Sequence, residues 1–91
     1  MEDYIKENIK NFRNQIDNID NKLMELLVKR FSICSKIGEI KNINKLTIDD
    51  KNRENQIIDR LSKKYVGALD RDHVASIFNP IYSISKQLQK K

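Results

Sequence analysis

Two charged residues stand where the surrounding pattern calls for apolar ones. Arg30 falls within a series of Ile, Leu and Phe residues that recur at alternating steps of four and three. Glu54 opens the apolar face of a later segment, ahead of Ile57, Ile58 and Leu61. A buried charge is costly unless it is paired and hydrogen-bonded, so each of them needs a counterpart. The counterpart is either protein, as in a structural Arg30–Glu54 salt bridge or an Arg that fixes coiled-coil register, or a bound ligand.

The arginines favour a ligand. The chain prefers Lys to Arg, 13 to 5, yet Arg stands at 13, 30 and 53. A planar fork that grips a carboxylate at two points is what Arg offers and Lys does not. Arg30 and Lys41 are about three helical turns apart and so face the same way. Arg13 is roughly 100° round from Arg30, so on one straight helix it serves a different pocket, such as one on a partner chain. Ser85 and Gln89, one turn apart, flank a third apolar stripe; the plainest reading of them alone is polar residues at a helix edge. Gathered together, Arg13, Arg30, Lys41, Arg53, Glu54, Ser85 and Gln89 make a pocket rich in cations and poor in proton-transfer groups. It suits a small dianion rather than general acid–base chemistry, which calls for a His or a tuned carboxylate.

Long helices must position these groups. Ile5, Ile9, Phe12, Ile16, Ile19, Leu23, Leu26, Arg30, Ile33, Ile37 and Ile40 form an unbroken heptad stripe, which predicts one helix from about residue 5 to about 42. At ~1.5 Å per residue this is a rod of roughly 55 Å. A compact chain of this size is only ~30 Å across. The overhang needs cover, most simply from a two-fold copy of the same chain; a sharp bend is the alternative. Asn42 to Leu46 reads as a loop, and Thr47-Ile48-Asp49-Asp50 as the start of a second helix running from about 49 to 65. Its inner face reads Glu54, Ile57, Ile58, Leu61, Tyr65, and Lys63, Lys64 and Gly67 are stop signals. Asp70 is the expected N-cap of a third helix, from about 70 to 90, with Val74, Ile77, Phe78, Ile81, Ile84 and Leu88 on its stripe. Pro80 predicts a kink or local break near residues 76–80, and Lys90-Lys91 a frayed end.

Composition narrows the class. Ninety-one residues make one domain, 1–91, whose core is marginal unless shared with another chain. With 38% hydrophobic and 34% charged residues the chain is too apolar and periodic for disorder and too charged for a membrane protein. No apolar run approaches the roughly 20 residues that span a bilayer. The start, Met1-Glu2-Asp3-Tyr4, has no basic segment followed by an apolar one, so no secretory signal is expected. The single cysteine, Cys34, rules out an intramolecular disulfide and a Cys-based zinc site. Two glycines and one proline leave little turn chemistry for hairpins. The expectation is a small, cytoplasmic, all-α protein of three helices.

At these residues the chain resembles the all-helical (AroQ-type) chorismate mutases. The matching stretches are Phe12 to Asp20, Leu26-Leu27-Val28-Lys29-Arg30, Ile37-Gly38-Glu39-Ile40-Lys41 and Asp50-Lys51-Asn52-Arg53-Glu54, then Ile77-Phe78 leading to Ile81, Ser85 and Gln89. The ordered set covers about residues 9 to 89, and its spacing is the specific part. The resemblance implies an intertwined homodimer of three-helix chains with two equivalent sites that converts chorismate to prephenate, the branch step toward phenylalanine and tyrosine, with no metal or cofactor required. It implies that Arg30, with Arg13 of the other chain, grips the substrate carboxylates. Lys41 and Gln89 would donate to the ether oxygen of the breaking bond. Glu54 would bind the ring hydroxyl, helped by the backbone near Asp50, and Arg53 and Ser85 would complete the ring-carboxylate end. Pro80 departs from the family pattern, which usually has an ordinary helix former there.

Two rivals stand beside this reading. An isochorismate pyruvate-lyase on the same fold shares Arg13, Arg30, Lys41 and Gln89, while Glu54 and Ser85 favour the mutase. A basic nucleic-acid-binding module is suggested by the net charge of +5, but the lysines are spread over all three helices, and Lys86, Lys90 and Lys91 read as solvated surface. Neither nucleic acid nor membrane is an expected partner. His73 reads as a surface residue, Cys34 as a small packing hydrophobe, and Tyr82 as a possible pocket wall. With the chain ending just beyond Gln89, no dehydratase, dehydrogenase or regulatory domain is expected.

Overall fold

The structure, a computed structural model, describes residues 2–90. Three helices follow one another: α1 (Glu2–Ile43), α2 (Lys51–Lys64) and α3 (Arg71–Gln89). Among the described residues there is no strand, and no helix is long and apolar enough to cross a membrane. The chain divides into two units after Arg30.

The described residues of the N-terminal unit, 2–30, are all helical. Glu2 and Asp3 in its first turn complement the positive end of the helix dipole, which explains a start earlier than the apolar stripe alone suggests. The stripe itself lies in water. Ile9, Phe12, Ile16, Ile19, Leu23 and Leu26 are all between 44% and 63% exposed. Glu25 and Lys29 pair at 3.7 Å on the surface, a contact of small energetic value.

The second unit holds the core. α1 ends in a left-handed turn: the Leu46 N–H donates to the Lys41 carbonyl at 2.7 Å, and the Lys45 N–H to that of Asn42 at 3.3 Å. This is a Schellman closure, but the residue at positive φ, 57°, is Lys45 rather than the glycine such a turn favours. The Asn44 side chain donates to the Ile40 carbonyl at 2.8 Å and supports the turn. Asp50 caps α2 by accepting from the Arg53 N–H at 3.0 Å, so the helix begins at Lys51, two residues after the expected start. Asp70 caps α3 in the same way, from the His73 N–H at 2.9 Å.

Ile57 and Ile58 of α2 and Val74 and Tyr82 of α3 form the buried core, with Leu61, Ala75 and Phe78 packed against it. Arg71 and Asp59 pair across the same two helices. Tyr65, expected on the inner face, is instead 48% exposed, because α2 stops at Lys64 and Tyr65 is its C-cap. α3 runs through Pro80 without a break. The proline removes one N–H, and the carbonyl it would have met, that of Ser76, belongs to an exposed residue where water can satisfy it. Buried Val74 and Tyr82 hold the helix on either side. Lys90 caps α3 through its N–H to the Lys86 carbonyl, and Lys91 lies outside the described residues.

One glycine sets how α1 and α3 meet. Gly38 is buried, and a Cβ built on it would stand 2.8 Å from Cα, Cβ and Cγ of Gln89. A methyl group does not fit without moving the α3 backbone. Gly38→Ala should therefore destabilise the protein by about 1–3 kcal/mol through overpacking. This loss outweighs the ~1 kcal/mol by which alanine is the better helix former. Thermal unfolding followed by circular dichroism measures it, and an unchanged or raised melting temperature would show that α3 yields.

Candidate functional site

The expected site residues of the second unit sit at three element ends: the last turns of α1, the start of α2 with the connection before it, and the last turns of α3. Lys41, in the last turn of α1, is half-buried, and its Nζ donates to the Ile48 carbonyl at 3.4 Å. That contact ties the α1 end to the connection carrying Asp49 and Asp50. Asp50 and Arg53 are exposed and joined by the cap bond described above.

Glu54 is held at both ends. Its backbone carbonyl accepts from the Tyr82 hydroxyl at 3.2 Å. Its carboxylate, only 15% exposed, has Oε2 at 3.1 Å from Lys86 Nζ and Oε1 at 3.8 Å from Lys51 Nζ. Lys86 Nζ also reaches Asp49 Oδ1 at 2.7 Å. The hydrogen bond to Asp49 first, and that to Glu54 second, hold the Lys86 ammonium well above the usual lysine range against the opposing effect of desolvation. The same bond from Lys86 holds the Asp49 carboxyl below its ordinary value.

Ser85 is 4% exposed, and its hydroxyl donates to the Ile81 carbonyl one turn back at 2.9 Å. Gln89 is half-buried against Gly38, and its backbone carbonyl accepts from Asn42 Nδ2 at 3.0 Å. Its side-chain Oε1 is out of water with no hydrogen-bond partner among the described residues. Gln89 lines an open cavity of about 530 Å³ with Ser35, Glu39, Asn42, Ile43 and Leu88.

Arg13 and Arg30 belong to the other unit. Arg30 is half-buried; Arg13 is exposed and lines a shallow surface concavity of about 400 Å³ with Lys6, Ile9, Lys10 and Asn14. Among the described residues no three His, Cys, Asp or Glu side chains gather as metal ligands would. His73 stays on the surface, 3.3 Å from Asp70, and Cys34 is half-buried.

Two expectations change. Tyr82 is no pocket wall: it is 5% exposed, packs against Phe78 with ring centroids 5.9 Å apart, and supports Glu54 from the core. Lys86 is no solvated surface lysine: its side chain is 26% exposed and joins Asp49 to Glu54. Its adjacency to Ser85 and its place three residues before Gln89 were the available signals, since residues at that spacing share a helix face.

The Asp49–Lys86 link generates a pH dependence. Because the folded-state pKa of Asp49 is depressed, its contribution to stability is present above the unfolded value, 3.8, and is lost as pH falls through the folded one. Asp49→Asn should therefore flatten the acid side of the melting-temperature profile below about pH 4. An unaltered profile would mean that solvent screens the link completely, as the exposure of Asp49 allows.

Comparison with known proteins shows the family. Residues 12–90 match the family described as chorismate mutase type II. The chain is 35% identical over 86 residues to the chorismate mutase of Methanocaldococcus jannaschii, covering 93% of this chain and 87% of that protein. It is also 35% identical over 89 residues to the bifunctional chorismate mutase/prephenate dehydratase of Aquifex aeolicus, covering 93% of this chain but 25% of that protein. A similar match, 33% over 89 residues, relates it to the bifunctional protein of Buchnera aphidicola, of which it spans 23%. The chain thus spans about a quarter of the length of the bifunctional relatives and most of the archaeal one. By its sequence over nearly its whole length and by its all-helical architecture, this chain belongs to the chorismate mutase type II family.

Proposed function

We propose that this chain is a chorismate mutase, an isomerase that rearranges chorismate to prephenate in aromatic amino acid biosynthesis. The observation that carries this is the family match over residues 12–90, which takes in every residue of the candidate site from Arg13 to Gln89. The reaction is intramolecular and breaks one C–O bond while forming one C–C bond. It needs no proton transferred by the protein. Catalysis then rests on holding a compact, chair-like conformer and on preorganised donors aimed at the oxygen that gains negative charge.

In this proposal Arg30 and Arg13 of the partner subunit hold the two carboxylates. Lys41 and Gln89 donate to the ether oxygen, Gln89 through its side-chain N–H. Glu54 accepts from the ring hydroxyl, aided by the backbone at Asp50, and Arg53 and Ser85 serve the ring-carboxylate end. The whole chain, 1–91, acts as one mutase domain in a homodimer in the cytoplasm. The exposed stripe from Ile9 to Leu26 supports the dimer, because so much apolar surface on one helix calls for a second chain to cover it.

Loss of chorismate absorbance, with prephenate identified as product, tests the activity. Arg13→Ala and Arg30→Ala should each lower kcat/KM on the order of 10²-fold or more, as truncation of a buried charge pair does. After subunit exchange between the two variants, each hybrid dimer regains one intact site. Statistical mixing then restores about a quarter of the parent activity. No recovery after verified exchange would remove Arg13 from the partner's site.

The ether-oxygen role of Gln89 has its own test. A glutamate donates a hydrogen bond only when protonated. Gln89→Glu should be about 10²–10³-fold slower than the parent at pH 7.5, the usual loss for one oxyanion donor. It should recover on acidification while circular dichroism shows the fold retained. A folded variant with the parent rate at pH 7.5 excludes Gln89 as the donor.

A further inference from the structure

Glu54 is the one carboxylate proposed to face the substrate, and it offers two chemically different oxygens. Oε2 makes a charge-assisted hydrogen bond with Lys86 at 3.1 Å, between side chains that are 15% and 26% exposed. Oε1 has Lys51 at 3.8 Å, beyond hydrogen-bond reach, on a side chain that is 71% exposed and so screened by water. One oxygen is engaged by the protein, and the other is left for a hydroxyl donor.

The engagement of Oε2 needs Lys86 to be fixed, and a lysine is a flexible four-carbon stem carrying a point charge. Asp49 supplies the anchor, at 2.7 Å from the same Nζ. Asp49 in turn sits on a connection tethered at its other neighbour, Ile48, whose carbonyl accepts from Lys41. On α3, Tyr82 lies one turn before Lys86 and holds the backbone carbonyl of Glu54. Two residues on one face of α3 thus hold both ends of Glu54. The charged groups around this carboxylate are Lys51 on its own helix, Lys86 from α3, and Asp49 behind Lys86 from the connection. Lys86 is an ammonium at neutral pH, and its two carboxylate partners hold it there as a fixed cation.

We propose that Lys86, anchored on Asp49, is a positioning residue that holds Oε2 of Glu54 so that Oε1 meets the hydroxyl of the substrate. This rests on the mutase reading above. Lys86 touches no reacting atom; its effect passes entirely through Glu54. The hydroxyl keeps its bonds throughout the rearrangement, so the effect belongs mainly in KM.

A double-mutant cycle on the full-length protein tests it, with chorismate as substrate and melting temperature recorded for every variant. Lys86→Met should lower kcat/KM about tenfold, mostly through KM, the value of one hydrogen bond to a charged group. Lys86→Arg, which keeps the charge and the reach, should recover most of the loss. In a Glu54→Gln background, Lys86→Met should cost less than about twofold more, because the group it positions is already gone. Asp49→Asn removes only the anchor from an exposed position; it should show a smaller loss with the same dependence on Glu54, and it carries the cycle should Lys86→Met not fold. Losses that multiply, or a folded Lys86→Met with the parent kcat/KM, overturn the role of Lys86 alone. A parent protein that does not consume chorismate overturns the mutase reading and this role with it.

Discussion

The end of α3 comes so close to residue 38 of α1 that a side chain there would collide with the Cα, Cβ and Cγ of Gln89, and glycine is what permits the contact. It determines where the last two turns of α3 can be. Asn42 then reaches the Gln89 carbonyl, and one turn earlier Lys86 reaches across to Asp49 and Glu54. The apolar core of this unit is small, with Ile57, Ile58, Val74 and Tyr82 as its buried members. Polar links at the site end add to the contacts that join the elements. A shift of the α3 end by a fraction of an ångström would be felt by Gln89, Lys86 and Ser85 together, since they share one rigid helical stretch.

The same links bear on how the proposed site treats charge. A dianion is best met by cations already in place, because donors that need not reorganise stabilise charge most effectively. Lysines are poor at this when their stems are free, and good at it when tied down. Lys41, the lysine proposed to meet the substrate, is tied to the Ile48 carbonyl, and Lys86, tied to two carboxylates, fixes Glu54. The structure thus turns flexible ammonium groups into fixed ones, using a connection of seven residues between α1 and α2.

Local signals in the sequence were enough for the three helices and for the Asp70 cap. The stripes of period 3.6 marked three helices, and Asp70 before its stripe marked a cap, because both are set by neighbours within a turn or two. Candidate residues on stripe edges, Lys41, Glu54, Ser85 and Gln89, were legible for the same reason. What the sequence did not disclose depends on partners far along the chain. The position of Lys86, three residues before Gln89, hinted at the site face, but its partners Asp49 and Glu54 lie more than thirty residues away and no local pattern points to them. Pro80 reads as a helix breaker, yet the helix continues, since burial on both sides outweighs one missing hydrogen bond on an exposed face. Tyr65 carried the right period for the core but fell just past the point where α2 stops.

Tyr82 gives this protein a built-in optical reporter. The chain has no tryptophan and three tyrosines, of which Tyr4 and Tyr65 are 71% and 48% exposed. Only Tyr82 is enclosed, with its ring against Phe78 and its hydroxyl on the Glu54 carbonyl. Near-ultraviolet circular dichroism arises from aromatic rings locked in asymmetric packing and vanishes when that packing is lost. The tyrosine band of the unlabelled protein therefore comes chiefly from the one ring beneath Glu54. It reads the α2–α3 packing under the candidate site separately from the helix content seen in the far ultraviolet.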